Sequence, residues 1–244
     1  AFDGMSPDDA VLGGQSALAM GQTLAGQIGG RLSDIRAGST GFTATASTRA
    51  IEVASADPMA AFSMAANNSA MAASEGESTK TWEMKPGYGG FVDVDFFTGE
   101  AETGIAGREA DLEGFTLAAG LDRTFDDGNT FGAFLTYSQT ESDFSSTAVS
   151  TAADVDGFSV GAYGQVGVFG AAFLNGYLSY GNYGLDTMRS AVIGGATFDA
   201  AGSTDMTGSQ WGIELGRTYA LSESTSITPS IAADRMDLKI DGYS

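Results

Sequence analysis

The chain has 244 residues, with 31 Asp or Glu against 11 Lys or Arg and a formal net charge of −20. So acidic a chain has little with which to neutralise phosphates, which argues against nucleic acid as a partner. Cysteine and histidine are both absent; disulfides, zinc–thiolate sites, thiol nucleophiles and Ser-His-Asp or Cys-His arrangements are thereby excluded. A cysteine-free chain also suits passage through a periplasm unfolded, where a stray disulfide would block transit. Glycine is plentiful, 35 residues against 4 prolines. Without a collagen repeat, that balance points to many strands and tight turns. No run of about 18 apolar residues would make a transmembrane helix. Ala1–Gly4 lacks the basic start and apolar core of a signal peptide. The chain is expected to be cytosolic or a processed piece of something longer. A β-barrel remains open, because its strands need only about 9–11 alternating residues to span.

The first predicted element is a helix within Ser6–Gly38. Ser6 suits the N-cap, Pro7 the first turn, and Asp8 and Asp9 the positive end of the helix. Leu24, Ile28, Leu32 and Ile35 recur at spacings of four and three and form one stripe. Arg31 and Arg36 fall near the C-terminal end, and Gly38 is a plausible stop. The helix is rich in Gly and Ala. Each interior Gly costs about 1 kcal/mol against Ala, so a slender helix that keeps them suits a confined space. An ordinary amphipathic helix on a soluble core is the alternative.

Residues 39–81 are small, polar and spotted with methionine. They show no sustained period and are expected to be a flexible connector, with a short helix around Pro58–Ala66.

From Trp82 onward the pattern changes to period two. Phe115, Leu117, Ala119 and Leu121 alternate with Thr116, Ala118, Gly120 and Asp122. Phe131, Ala133, Leu135 and Tyr137 alternate with Gly132, Phe134, Thr136 and Ser138. Phe158, Val160, Ala162, Val166 and Val168 oppose Ser159, Gly161, Tyr163, Gln165 and Gly167. Trp211, Ile213, Leu215 and Tyr219 oppose Gln210, Gly212, Glu214 and Gly216. One face is large and apolar; the other is small or polar. Short connections (Phe125–Thr130, around Gly170, Ser222–Thr225) alternate with long polar ones (Ser138–Asp156 and Asp186–Gly208). Tight turns at one end and long loops at the other describe an up-and-down barrel in an outer membrane. Soluble sandwiches show no such strict alternation. The small face would line a lumen, its glycines leaving room for an occupant. Tyr180, Tyr183, Trp211 and Tyr219 at strand ends would suit interfacial girdles.

The order of these segments resembles the C-terminal translocator domain of autotransporters, the type V secretion proteins of Gram-negative bacteria. RLSDIRAG (Arg31–Gly38) is similar to the end of that family's pore helix. GFTLAAGLDRTFDDGNTFGAFLTYS (Gly114–Ser138) resembles its second and third strands. Gly157–Arg189, Ile213–Leu221 and SITPSIAADRMDLKIDGYS (Ser226–Ser244) resemble successive later ones. No single motif is specific; their order is, and it covers nearly the whole chain.

The resemblance implies an all-β, antiparallel barrel spanning the outer membrane, with about 12 strands in the full domain and about seven here. It implies a lumen helix at 1–38 (Leu24, Ile28, Arg31, Leu32, Ile35, Arg36), a connector at 39–81 and the barrel at 82–244, incomplete at its C-terminus. Phe115, Leu117, Leu121, Phe131, Leu135, Val160, Val166, Trp211, Ile213 and Leu215 would face lipid. The implied role is an anchor and conduit that exports an N-terminal passenger. The implied partners are outer-membrane lipids, the passenger and the barrel assembly machinery. No catalytic residue, cofactor or metal is implied. Some members cut themselves in the helix at an Asn-Asn pair. Here the comparable place reads Gly26-Gln27, and Asn67-Asn68 lies in the connector, so that chemistry is not expected.

Two rival functions stand beside this reading. A complete porin- or adhesin-like barrel of about eight strands would need an extra strand from Ala191–Ala200. An enzyme would have to use Asp93 with Asp95, or the calcium-loop-like run Asp154–Gly157. That run lacks the downstream Glu of a true calcium loop. Asp93 and Asp95 read more simply as lumen-facing polar residues, and no GxSxG or P-loop is present.

Overall fold

The computed structural model describes residues 7–53, 78–103, 108–145, 149–193, 195–222 and 225–241. Helix α1 (Pro7–Arg36) comes first. It is followed by strands β1 (Gly41–Val53), β2 (Ser78–Trp82), β3 (Tyr88–Thr103), β4 (Arg108–Thr124) and β5 (Thr130–Ser145). Then come β6 (Val149–Gly167), β7 (Ala172–Ile193), β8 (Ala196–Arg217), the short hairpin β9 (Tyr219–Ala220) and β10 (Ser226–Ile227), and β11 (Ser230–Ile240). Nine strands form one sheet in the order β11-β8-β7-β6-β5-β4-β3-β1-β2. From β3 to β11 every neighbour is antiparallel. Among the described residues, β1 alone runs parallel to a neighbour, β3.

The sheet curls around α1. Its concave face carries the alternate residues that touch the helix; its convex face carries the others. The helix C-terminus lies at the rim of the tight turns, since Arg31 bonds Asp122 at the end of β4. Its N-terminal half lies toward the opposite rim, where Leu12 clusters with Phe144, Val155, Leu185 and Met206. We call these the turn rim and the far rim. At the turn rim, Gly128 has a φ of 81°, a left-handed backbone that glycine adopts without strain, and its amide closes the turn on Phe125. The Asn129 side chain then accepts the Gly167 amide at 3.0 Å, tying this turn to the end of β6.

The long polar connections expected after Ser138 and Asp186 are strands. β5 continues to Ser145 and β6 starts at Val149; β7 runs to Ile193 and β8 starts at Ala196. The apolar signal stops because the convex face turns acidic, but period-two pairing goes on. Ala191 and Phe198 are cross-strand partners within this hairpin. Ala191–Ala200 is therefore not the extra strand that an eight-stranded barrel would require. The stretch expected as a connector also holds structure: β1 lies within it and β2 runs across its end to Trp82. The alternating Thr43, Thr45, Ser47 and Arg49 of β1 are too polar and small to announce a strand. The expected short helix at Pro58–Ala66, the Asn67-Asn68 pair and the Ser6 cap lie outside the described residues.

Candidate functional site, the helix-filled lumen

The expected helical stripe meets the wall. Leu24, Ile28 and Leu32 are buried and cluster with Phe91, Ala118, Phe134 and Tyr163, with Ile35 half-buried beside them. Polar contacts run down the helix at several levels. Ser16 donates to the Ser142 hydroxyl at 3.3 Å. Gln210 Nε2 donates to the Gly21 carbonyl at 2.9 Å and to the Tyr177 hydroxyl at 2.9 Å, and that hydroxyl donates to Asp234 at 2.6 Å. Gln27 Nε2 donates to the Thr116 carbonyl at 3.0 Å and the Asp93 carbonyl at 3.4 Å.

The deepest contact is ionic. Arg31 Nε donates to Asp122 Oδ2 at 2.9 Å and Nη2 donates to Oδ1 at 3.1 Å. The Tyr163 hydroxyl donates to the same carboxylate at 2.7 Å. Both charged side chains are nearly sealed from solvent, at 2% and 3% exposure, so the pair sits where attraction is least screened. Its two-pronged geometry orients the helix as well as holding it. One turn on, Arg36 lies 3.7 Å from Glu214 and 4.2 Å from the centroid of Phe173. Asn175 donates to Glu214 at 2.8 Å. The helix thus brings its cations to anions already placed on the wall.

Seven glycines of the concave face do not leave open space. Each of Gly114, Gly120, Gly132, Gly157, Gly161, Gly212 and Gly216 is the direct cross-strand partner of an aromatic residue. The partners are, in the same order, Phe97, Phe91, Tyr163, Tyr183, Phe134, Tyr177 and Phe173. In every case the ring covers the place a Cβ would occupy. These rings fill the layer between wall and helix. Tyr183 is accordingly a lumen residue and not part of a girdle. Tyr180, Trp211 and Tyr219 do point outward, but Tyr180 and Trp211 lie mid-strand, level with Val160 and Leu178, so of the four only Tyr219 is at a strand end.

All ten residues expected to face lipid lie on the convex face, away from α1. Leu121, Leu135, Val160 and Phe131 are more than half exposed. The band they form is level across the sheet: Leu117, Tyr137, Phe158 and Asn182 are successive partners near its far-rim limit, with Phe115 two residues beyond on β4. Four residues beyond that row, the same register aligns Glu113, Glu141, Asp154 and Asp186. The lower limit carries Arg123 over the rings of Tyr88 and Phe125, and Arg217 over Tyr219. Asp93 and Asp95 share the concave face; Asp95 accepts hydrogen bonds from Ser47 and Arg49. Asp154 and Asp156 project from the convex side of β6 and form no loop.

A curled antiparallel sheet with an apolar outer band, cation–aromatic contacts at one rim and a polar inner face defines an outer-membrane-type β-barrel wall. The family comparison then specifies which. The autotransporter β-domain family model matches residues 87–244, and the chain belongs to that family of Gram-negative outer-membrane barrels. The fold is similar to the translocator domain of autotransporter NalP from Neisseria meningitidis, with a TM-score of 0.50 and 22% identity. That match covers 66% of this chain and 53% of that one, so the chain spans about half the length of the NalP domain. The alcaligin outer-membrane receptor FauA from Bordetella pertussis matches at a TM-score of 0.25, 15% identity, and 55% and 23% coverage. No curated protein matches the chain.

Proposed function

We propose that the protein anchors in the outer membrane and serves as the conduit through which an N-terminal passenger reaches the cell surface. The observation that carries this reading is α1 itself, a 30-residue helix threaded along the lumen and seated by Arg31 on Asp122 and Tyr163. A helix in this position marks the route of whatever chain precedes it. Its N-terminus points to the far rim, which in this reading faces outward. The convex band, including Phe115, Leu117, Leu215 and Val166, contacts lipid, and the acidic strand ends stand beyond the bilayer. The division into a lumen helix to residue 38, a connecting segment and a barrel from residue 82 follows the same plan, with β1 and β2 belonging to the middle segment. In that plan the barrel assembly machinery inserts the wall, and further strands pass over the exposed helix residues Leu18, Gly29 and Ser33.

The test places an epitope tag ahead of Ala1 in the full-length protein, in its own cells. Protease added to intact cells is expected to remove the tag. A tag that stays protected until the outer membrane is broken contradicts export by this route.

A further inference from the structure

β1 is the anomaly of the sheet. A parallel pair needs a long crossover, and up-and-down barrels of even strand number contain none. Yet β1 pairs with β3 over its whole length, from Gly41 opposite Gly89 to Val53 opposite Ala101. Its inward residues are chemically matched to this place. Asp95 of β3 is fully buried, and its carboxylate accepts from the Ser47 hydroxyl and pairs with Arg49, both from β1. The Arg49 guanidinium also lies against α1 at Gly26, whose Cβ position is within 2.6 Å of Nη1. Strand, wall and helix thus meet at one residue. Take β1 away and Asp95 becomes a buried charge without a cation, which is costly.

We propose that β1 is a permanent strap: a parallel wall strand locked to β3 by Arg49 and Ser47 on Asp95, which clamps α1 in the lumen. The strap rests on the reading of the chain as a membrane barrel filled by α1. Because α1 and β1 are joined by only a short turn, with Gly38 and Ser39 amides bonded back to Ile35 and Asp34 carbonyls, the helix cannot shift along the lumen without pulling β1 out of register. Arg49 is a positioning residue in this device.

These 244 residues contain no cysteine, and any cysteine elsewhere in the full-length protein is replaced by serine for the test. In the full-length protein assembled in outer membranes, Ala44→Cys and Val92→Cys are introduced together, since these residues are cross-strand partners. A short bifunctional thiol reagent is then applied. Near-complete cross-linking is expected. Two comparisons accompany it: Ala44→Cys with Phe96→Cys, out of register, is expected not to cross-link. Ala119→Cys with Leu135→Cys, partners in the β4–β5 hairpin, is expected to cross-link. Loss of the seam product while the hairpin product persists overturns the strap and leaves the barrel intact. Loss of both overturns the barrel reading with it. A second measurement asks about the clamp. Arg49→Ala is expected to raise labelling of a cysteine at Ala19, a fully buried helix position against Phe97 and Leu112, by a water-soluble maleimide at least several-fold, with Arg49→Lys restoring most of the protection. Unchanged labelling in Arg49→Ala contradicts the clamp.

Discussion

At the scale of single residues, the account turns on Arg31. Removing one member of a buried ion pair strands the other, at about 3–5 kcal/mol. Arg31→Ala is therefore expected to lower the urea midpoint of the purified barrel and to raise ion conductance through single barrels in planar bilayers. Replacing the whole group, Arg31→Met with Asp122→Leu and Tyr163→Phe, is expected to recover most of the stability, because an apolar trio carries no desolvation penalty. A second residue-scale prediction concerns the ring-over-glycine pairs. A methyl at Gly132 would collide with the Tyr163 ring, whose atoms are its three nearest neighbours. Gly132→Ala is expected to cost about 1–3 kcal/mol through overpacking, and much less in a Tyr163→Leu background. Equal costs in both backgrounds, measured by chemical unfolding, contradict the pairing. These pairs were hidden in the sequence. Glycine in a strand shows no partner, and a one-residue pattern cannot show that Phe134 sits opposite Gly161.

At the scale of elements, the strands are longer than a membrane requires: β7 and β8 each have 22 residues, about twice what a bilayer crossing takes. Their far ends carry Glu113, Glu141, Asp154 and Asp186 side by side, and directly opposed like charges destabilise a sheet. Asp154 lies beyond the apolar band. Partial burial, and then the carboxylates of Asp143, Asp186 and Asp156, hold its pKa above the ordinary carboxylate range. A carboxyl whose pKa is raised on folding stabilises the fold when protonated, and that stability is lost as pH rises through the raised value. Amide protection at the far ends of β5, β6 and β7, taken relative to the intrinsic exchange rate at each pH, is therefore expected to rise as pH falls from 7 toward the carboxylate range. In Asp154→Asn it is expected to be higher at pH 7 and less dependent on pH. Lower protection on acidification contradicts the sign. The sequence reading saw these ends as loops because hydropathy, its main signal, ends where the lipid band ends. The register does not end there: Ser138, Thr140 and Ser142 keep facing inward to Ser16 and its neighbours. The apolar faces of β4, β5, β6 and β8 and the Leu24–Ile28–Leu32 stripe were legible because each repeats a strong period. β1 was not, since a parallel strand of Thr, Ala and Ser is recognised only by its partner.

At the scale of the molecule, the convex face is a belt and the concave face a sleeve. The belt predicts depth-dependent tolerance. Leu135 is 65% exposed near the middle of the band, and an Arg at the bilayer midplane costs about 2–4 kcal/mol. Leu135→Arg is expected to lower stability in lipid vesicles by that amount, whereas Glu141→Arg, at the acidic level beyond the band, is expected to be neutral or stabilising. The reverse order contradicts the placement of the membrane. The sleeve makes the central claim, that α1 lies inside the wall with its N-terminal half at the far rim. Ser16 and Ser142 hydroxyls are 3.3 Å apart across this contact, 126 residues apart in the chain. The most direct test is to place cysteines at Ser16 and Ser142 of the full-length protein, with any cysteine outside these 244 residues replaced by serine, and oxidise it in native outer membranes. The account predicts an internal disulfide in nearly every molecule, visible as a mobility shift reversed by reductant. Free thiols at both positions, in a protein whose Ala119–Leu135 hairpin pair still cross-links, would show that the helix is elsewhere.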